Sequence, residues 1–240
     1  GLIDMMSKFT YLTWRLVPEK IHFLFLLAHY GINPFNHFIG MPIESNNENL
    51  FDEYKKTLNR FNYSKDFIKK LEDGKERLIS QGCLPLHPLK KWDNENAKRL
   101  NIDIENSSEL ASYNYSQPEY GYMKACINSD FIIVWDSTHR DESIMFTEKT
   151  WIPIFCGKPI LFMYKPNALK LFKRKGYKSW PMLFDESYDS IINQEERMDM
   201  IAKQVVELQS KDKNYFQQAG VNCELNKLHS WRRGVKCEVF

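Results

Sequence analysis

The chain lacks the residue patterns that mark several classes of protein. Its five cysteines are an odd number and none forms a CxxC pair, so neither a disulfide framework nor a zinc site is indicated. The apolar run from Ile21 to Ala28 is far shorter than the roughly 20 residues that a spanning helix needs. Internal repeats and low-complexity tracts are absent. We therefore expect a protein of a reducing, cytoplasmic compartment with no membrane span.

A strong charge bias is also missing, since 33 Lys and Arg residues face 31 Asp and Glu residues. The overall balance does not indicate nucleic acid or an acidic membrane as the main partner. Apolar residues, in contrast, are plentiful. The 240 residues are 43% hydrophobic and 14% aromatic, which is ample for a core and excludes disorder for most of the chain.

Hydrophobic periodicity predicts alternating strands and helices. The first unit is a strand over Phe9 to Thr13 followed by a helix over Pro18 to Tyr30. Further strands are predicted over 37–41, 130–135, 159–164 and, more weakly, 182–184, and further helices over 50–61, 64–80, 147–156, 167–175, 195–210 and 213–233. Continuous apolar strands between helices indicate a parallel sheet covered on both faces. The predicted fold class is therefore α/β, with a Rossmann-like parallel sheet flanked by helices.

The domain organisation predicted from this pattern is simple. Residues 7–240 are expected to form a single domain, because no linker-like stretch divides them. The stretch at about 44–122 has weak periodicity and many polar residues, so we expect a helical and irregular insertion there.

The segment FIIVWDSTHRDESIMFTEKTWIPIFCGKP, residues 131–159, is the most informative one. It predicts a buried strand, a polar turn that opens with Asp136 and Ser137, and a helix whose first turn holds Thr147, Glu148 and Lys149. A helix N-terminus presents unpaired N–H groups and a positive dipole end to an anion. A carboxylate can accept hydrogen bonds from ribose hydroxyls and an ammonium can balance pyrophosphate, so the segment predicts a nucleotide-sugar pocket. The alternative is that both charges are ordinary first-turn residues of a helix.

The order and spacing of three motifs in this segment resemble the signature of the α1,3-fucosyltransferases. These motifs are Asp136-Ser137, the run from Thr147 to Trp151, and Gly157-Lys158-Pro159. Gly176-Tyr177-Lys178 and the acidic run Asp185 to Asp189 follow in the order expected of viral and bacterial fucosyltransferase-like proteins. In that family the signature lies in the C-terminal donor-binding domain of a GT-B glycosyltransferase, and the resemblance covers half of this chain.

The resemblance implies roles for individual residues. Glu148 would bind the ribose and Lys149 the pyrophosphate, and Arg15, in the first turn between strand and helix, would be a second pyrophosphate ligand. Arginine suits that role because its planar fork binds phosphate oxygens bidentately. Asp136, Ser137 and Thr147 would complete the donor site. Lys149 and Arg15 would stabilise the leaving diphosphate without a metal ion or a cofactor.

The function implied is transfer of a hexosyl or fucosyl group from a nucleoside diphosphate, GDP first, to a hydroxyl acceptor such as a glycan or modified DNA. A counterpart of the family's separate acceptor domain is not identified, so the catalytic base stays unknown. Two alternatives remain open. One is a viral-type DNA-modifying sugar transferase, which would hold DNA with the basic side chains of Lys170, Lys173, Arg174, Lys175 and Lys178. The other is a nucleotide-binding module without catalysis.

Three further side-chain groups have a structural interpretation. Trp151, one turn into its helix, is expected to pack towards the sheet. His22 and His29 are expected to be packing residues of an apolar helix. The acidic run Asp185 to Asp189 is expected to form a turn or a helix cap, because consecutive carboxylates are poorly spaced for one metal ion.

Overall fold

A computed structural model describes residues 7–12, 18–32, 38–40, 58, 60–81, 123, 125–135, 144–163 and 165–235. The strands in these ranges are β1 (Ser7–Leu12), β2 (Phe38–Gly40), β3 (Ser129–Val134) and β4 (Ile160–Phe162). All neighbouring strands are parallel, and their order across the sheet is β2-β1-β3-β4. β1 and β3 are therefore the central strands, β2 forms the edge beside β1, and β4 forms the edge beside β3.

The helices are α1 (Pro18–His29), α2 (Lys65–Ser80), α3 (Glu148–Phe155), α4 (Ala168–Arg174), a 3-10 helix (Glu186–Ser190), α5 (Gln194–Gln209), α6 (Lys213–Gln217) and α7 (Gly220–Arg232). α1 connects β1 to β2 in the chain, and α3 connects β3 to β4. The prediction of an α/β chain with a parallel sheet and flanking helices is confirmed.

Helices cover both faces of the sheet. Because side chains alternate across a strand, Phe131 and Val134 of β3 point to opposite faces. Phe131 stacks on Phe216 of α6 with ring centroids 5.7 Å apart. On the other face Phe162, the registered partner of Val134, lies 5.1 Å from the ring of Phe172 in α4. The apolar residues of β3 and β4 are buried on both sides, which explains the continuous apolar sequences of these two strands.

Among the described helices α1 is the most apolar, and it is buried all round, from Lys20 to Ala28. α2 packs directly against it, although α2 lies within the predicted insertion at 44–122. Gly74 of α2 permits the close approach, since a Cβ there would lie 1.8 Å from the carbonyl oxygen of Phe25. α1 has only 12 residues, and no helix in the described ranges combines the length and apolarity needed to cross a membrane.

Two predicted elements differ from the structure. Residues 182–184 form a turn, not a strand: the N–H groups of Leu183 and Phe184 both donate to the carbonyl of Trp180, at 2.9 and 3.1 Å. The side chains of Leu183 and Phe184 are buried by packing and need no sheet partner, whereas Met182 is exposed. The single helix predicted over 213–233 is two helices, α6 and α7, separated by a short turn.

The two histidines of α1 are packing residues, as predicted. His22 Nδ1 lies 3.1 Å from the hydroxyl of Tyr63, and His29 Nδ1 lies 2.6 Å from a carboxylate oxygen of Asp73. Burial lowers the pKa of His22 to about 4, so its ring is neutral at physiological pH. Both side chains join α1 to the region of α2.

Candidate functional site

The candidate site lies at the carboxyl edge of the sheet. β1 ends at Leu12 and its registered neighbour β3 ends at Val134, so both strands stop at the same level. The sheet order reverses between these two strands, which is where parallel α/β proteins bind ligands. Arg15 follows β1 in the sequence, and Asp136 and Ser137 follow β3, but these three residues lie outside the described ranges. Their assignment to the donor site stays a prediction.

The start of α3 is formed by a local cap. Thr147 has an extended backbone, with φ −108° and ψ −171°, and its hydroxyl oxygen accepts from the N–H of Lys149 at 3.4 Å. Its carbonyl accepts from the N–H groups of Thr150 and Trp151, at 2.9 and 3.1 Å. Threonine is a favoured N-cap because it satisfies donors that the helix leaves unpaired. The helix start predicted at Thr147 is confirmed, and it faces the carboxyl edge because α3 returns the chain from β3 to the parallel strand β4.

Glu148 and Lys149, the two predicted donor ligands, form an ion pair with each other. Lys149 Nζ lies 2.6 Å from Glu148 Oε1, and the two side chains are 5% and 42% exposed, respectively. Partial burial raises the pKa of Glu148. Three groups outweigh that effect: the ammonium of Lys149, through its hydrogen bond and its charge, the backbone N–H of Glu148 and the hydroxyl of Thr147. The pKa of this carboxyl therefore lies below its usual value. Glu148 is therefore ionised at neutral pH.

This ion pair determines what the site can do chemically. A carboxylate has about four lone-pair positions, so Glu148 can accept from ribose hydroxyls while keeping some of its present donors. Lys149 is nearly buried, so a phosphate reaches its ammonium only when one of the two side chains moves. An anion that binds at the start of α3 therefore has to replace this contact.

An aromatic cluster holds the start of α3 against the sheet. The ring of Phe146, directly before the cap, lies 5.9 Å from that of Trp151 and 5.7 Å from those of Phe162 and Phe172. The ring of Trp151 also lies 5.6 Å from that of Tyr177. Trp151 therefore packs within the protein, as predicted.

The Gly157-Lys158-Pro159 motif ends the same helix. Gly157 has a φ of +67°, which glycine adopts without strain. Its N–H donates to the carbonyl of Ile154 at 3.0 Å, and the N–H of Lys158 donates to the carbonyl of Pro153 at 2.9 Å. These two bonds form a Schellman motif, which satisfies the last carbonyls of the helix. The motif therefore turns the chain from α3 into β4 and lies at the helix end opposite the candidate site.

The acidic run at 185–189 forms caps, as predicted. Asp185 accepts from the N–H of Ser187 at 3.0 Å and begins the 3-10 helix. Asp189 accepts from the N–H groups of Leu169 and Lys170, both at 2.9 Å, at the start of α4. Across the described ranges, no three His, Cys, Asp or Glu side chains are grouped so that they could hold a metal ion.

The basic face of α4 is larger than the sequence predicts. Lys170, Lys173, Arg174, Lys175 and Lys178 are all exposed. Two side chains at the end of α7 join this basic face. His229 Nε2 and a terminal nitrogen of Arg233 lie 2.8 and 2.9 Å from the carbonyl oxygen of Lys175. Arg232 is exposed on the same last turn. Only the folded chain brings these groups together, since they are more than 50 residues apart in the sequence.

Sequence reasoning assigned no contact to the thiol at the end of α3. Cys156 follows the last residue of that helix, and its Sγ lies 3.8 Å from the carbonyl oxygen of Met123. The two residues are 33 apart in the sequence, so no local pattern predicts their contact.

No family model matches the chain, and neither does any curated protein or solved structure. At the level of class, the chain is an α/β protein with a parallel sheet and a helix N-terminus at its carboxyl edge. Its function has to be inferred from these residues and this geometry.

Proposed function

We propose that the chain is a glycosyltransferase that moves a sugar from a nucleoside diphosphate, GDP first, to a hydroxyl acceptor. The observation that carries the proposal is the start of α3, where Thr147, Glu148 and Lys149 lie at the carboxyl edge of a parallel sheet beside its reversal of strand order. In this proposal the sheet is Rossmann-like, and the chain represents the donor-binding domain of a GT-B enzyme.

Each group then has a distinct role. Glu148 accepts hydrogen bonds from the ribose hydroxyls, which a carboxylate can do while it keeps its negative charge. Lys149, Arg15 and the N-terminus of α3 stabilise the negative charge that develops on the leaving diphosphate. Fixed positive charge thereby takes the place of a metal ion. The proposal assigns no residue to deprotonation of the acceptor.

The Glu148–Lys149 ion pair fits these roles. When a donor binds, the ammonium exchanges the carboxylate for a phosphate oxygen, and the carboxylate exchanges the ammonium for ribose hydroxyls. Both charges keep a partner throughout, so neither is left buried and unpaired. The resting contact of 2.6 Å holds both side chains near the helix start.

The first test is stabilisation by nucleotides without metal. GDP at 100 times its dissociation constant should stabilise the fold by about 2.7 kcal/mol, or roughly 5–10 °C in melting temperature. The experiment compares GDP, UDP, GDP-sugars and guanosine in EDTA and in Mg²⁺. Stabilisation that appears only with Mg²⁺ or Mn²⁺ contradicts the metal-free proposal. Release of GDP from a GDP-sugar by the purified chain distinguishes an enzyme from a nucleotide-binding module.

DNA is the second candidate for the acceptor. The supporting observation is that α7 adds His229, Arg232 and Arg233 to the basic face of α4. Cations that neutralise phosphates make affinity fall steeply as salt rises, with a slope of about −0.9 per duplex phosphate contact. Fluorescence anisotropy of labelled duplex and single-stranded DNA between 50 and 200 mM salt measures this slope. Several phosphate contacts should lower the affinity by orders of magnitude over that range. A slope near zero excludes DNA as the acceptor.

A further inference from the structure

Helix α7 is amphipathic in the opposite sense to an ordinary surface helix. Its buried residues are small or polar: Cys223, Asn226 and Ser230. Its large apolar residues lie on the outside, between 43% and 73% exposed, and form the α7 stripe: Val221, Leu225, Leu228 and Trp231. A surface helix normally buries such a stripe against the core and turns its polar residues to water. The α7 stripe is therefore a candidate docking surface.

Hydrogen bonds to one neighbouring segment hold α7 in this orientation. The side-chain amide of Asn226 accepts from the backbone N–H of Lys178 at 2.6 Å and donates to the carbonyl of the same residue at 2.8 Å. The side chain of Asn222 donates to the carbonyl of Ser179 at 2.7 Å. Rotation of α7 to bury the stripe would break these bonds and leave polar groups unsatisfied, which is costly.

The apolar residues of the α7 stripe are neighbours on the helix surface. Successive members are three or four residues apart, a spacing that places side chains on one face. The other large apolar side chains that are exposed in the described ranges each belong to a different segment of the chain. They are Ile79, Ile127, Met145, Met182 and Ile192. Contiguous apolar patches, unlike single exposed side chains, mark interaction sites.

The charges along the stripe are separated by sign. Exposed Glu224 lies four residues before Leu228, and exposed Arg232 lies four residues after it. Leu225 and Trp231 lie three residues before and three residues after it. Positions related in this way face each other when two copies of α7 pack antiparallel about a two-fold axis at Leu228. Glu224 then faces Arg232 of the second copy at both ends of the contact, and Leu225 faces Trp231.

We propose that the α7 stripe joins two copies of this chain in an antiparallel dimer. The apolar side chains form the centre of the interface, and the pairs of Glu224 with Arg232 form its two ends. Glu224 already contacts Lys227 of its own helix at 2.7 Å, but a carboxylate has lone pairs for both cations. A single pair of 13-residue helices buries less than the roughly 1,200 Å² of a standard interface, so the dimer should exchange with monomer at micromolar concentrations.

The same charges disfavour two other arrangements. A parallel pair of helices would place Glu224 against Glu224 and Arg232 against Arg232, and like charges across an interface are costly. An anionic lipid surface would attract Arg232 but repel Glu224, which lies one turn from Leu228 on the same face. A second copy of the chain is therefore the partner whose charges match the stripe.

The dimer is independent of the proposed nucleotide site. α7 approaches α3 at Gly157, where Lys227 Nζ lies 2.8 Å from the place that a Cβ would occupy. Gly157 follows the C-terminal end of α3, whereas Thr147 caps the opposite end. Loss of the dimer should therefore leave nucleotide binding unchanged, and failure of either proposal does not decide the other.

The test is sedimentation velocity of the full chain from low micromolar to several hundred micromolar concentration. The wild type should change from monomer to dimer as its concentration rises. Leu228→Glu should raise the dissociation constant at least about tenfold, because the two-fold axis places the two new carboxylates against each other. Ile192→Glu is the matched control, since it makes a similar change on an exposed side chain outside α7 and should leave the dimer intact.

Exchange of the two charges tests the antiparallel arrangement. Arg232→Glu and Glu224→Arg should each weaken the dimer about tenfold, whereas the double variant should restore it, because opposite charges face each other again. A double variant no tighter than the single ones would overturn this arrangement.

The wild type alone also tests the proposal. A wild type that stays monomeric at every concentration overturns it, and so does a dimer that Leu228→Glu leaves intact. A monomer that sediments with phosphatidylserine vesicles, and loses this binding in Leu228→Glu, would assign the stripe to a lipid surface instead.

Discussion

Helices α3 and α4 both begin next to a carboxylate. The carboxylate at α3 belongs to the helix itself, whereas the one at α4 belongs to a residue that is distant in the sequence. At α3 the acid is Glu148, which belongs to the first turn and pairs with the adjacent Lys149. At α4 it is Asp189, about 20 residues further along the chain, which accepts from the N–H groups of Leu169 and Lys170. Glu148 is 42% exposed, whereas Asp189 is 8% exposed.

The same electrostatics therefore has two different consequences. A negative charge near a helix N-terminus is favourable in both places. Asp189 is buried and satisfies two backbone donors, so its removal leaves those donors without an acceptor. Glu148 is half solvated and can exchange partners at little cost. We infer that the start of α4 serves stability, and that the start of α3 is the one able to bind a ligand.

The largest expected effect follows the loss of Asp189. Asp189→Ala should lower the free energy of unfolding by about 3 kcal/mol, because two charged hydrogen bonds and a cap are lost. Burial lowers the pKa of Arg197, an effect that the Asp189 charge opposes, so the substitution also leaves a buried cation less well compensated. Urea denaturation measures the change. Asp185→Ala is the matched control, since this exposed cap should cost only about 1 kcal/mol. Equal losses would remove the distinction between the buried and the exposed acid.

Lys149→Ala should affect ligand binding instead of folding. We expect the affinity for GDP to fall by roughly 1.5–3 kcal/mol, the value of a charged hydrogen bond, with little change for guanosine. Calorimetric titration of both ligands measures the difference. Lys149→Met is the matched control, because it keeps the length of the buried stem and removes only the charge. If both variants weaken the binding of guanosine and of GDP equally, Lys149 is structural. The start of α3 would then serve stability, as the start of α4 does.

Glu148 should distinguish ribose from deoxyribose. The wild type should prefer GDP over its 2′-deoxy analogue by about 1–3 kcal/mol, because the missing hydroxyl leaves the carboxylate partly unpaired. Glu148→Gln should lose most of this preference and keep a melting temperature within a few degrees of the wild type. Titrations of both nucleotides into both proteins provide the four affinities required. A variant that retains the full preference shows that Glu148 is only a first-turn helix charge.

Arg15→Lys tests whether the turn after β1 belongs to the same site. The charge is conserved, but a planar fork is replaced by a point charge, so GDP affinity should fall by about 1 kcal/mol. Calorimetry in the absence of metal measures this loss. Unchanged affinity would separate Arg15 from the start of α3.

The smallest effect concerns pH. The pKa of Glu148 is lowered in the folded chain, so its contribution to stability is present above the unfolded pKa of about 4.3 and is lost as pH falls through the folded value. Solvent screening limits this contribution to about 0.5 kcal/mol. The difference in the free energy of unfolding between the wild type and Glu148→Gln, measured in urea at pH 7, 5, 4 and 3, should therefore shrink below pH 4.5. A difference that grows towards pH 3 would mean that the protonated carboxyl is the favoured form.

Local patterns predict much of the fold. The strands and helices around β1, β3 and α3 follow from apolar periodicity and from a threonine cap, both of which act over a few residues. The strand predicted at 182–184 is wrong because an apolar run does not distinguish a strand from a turn whose side chains are buried by packing. The cap that Asp189 provides to α4 could not be assigned to a helix start, because its donors lie far away in the sequence.

The sequence by itself determined the α/β class, the parallel sheet, the helix start at Thr147 and the presence of Glu148 and Lys149 in its first turn, because each depends on short-range order. Only the tertiary structure decided the strand order, the burial of Lys149 and the joining of α7 to the basic face of α4. Those features depend on contacts between distant segments, and burial and charge proximity arise only when the chain has packed.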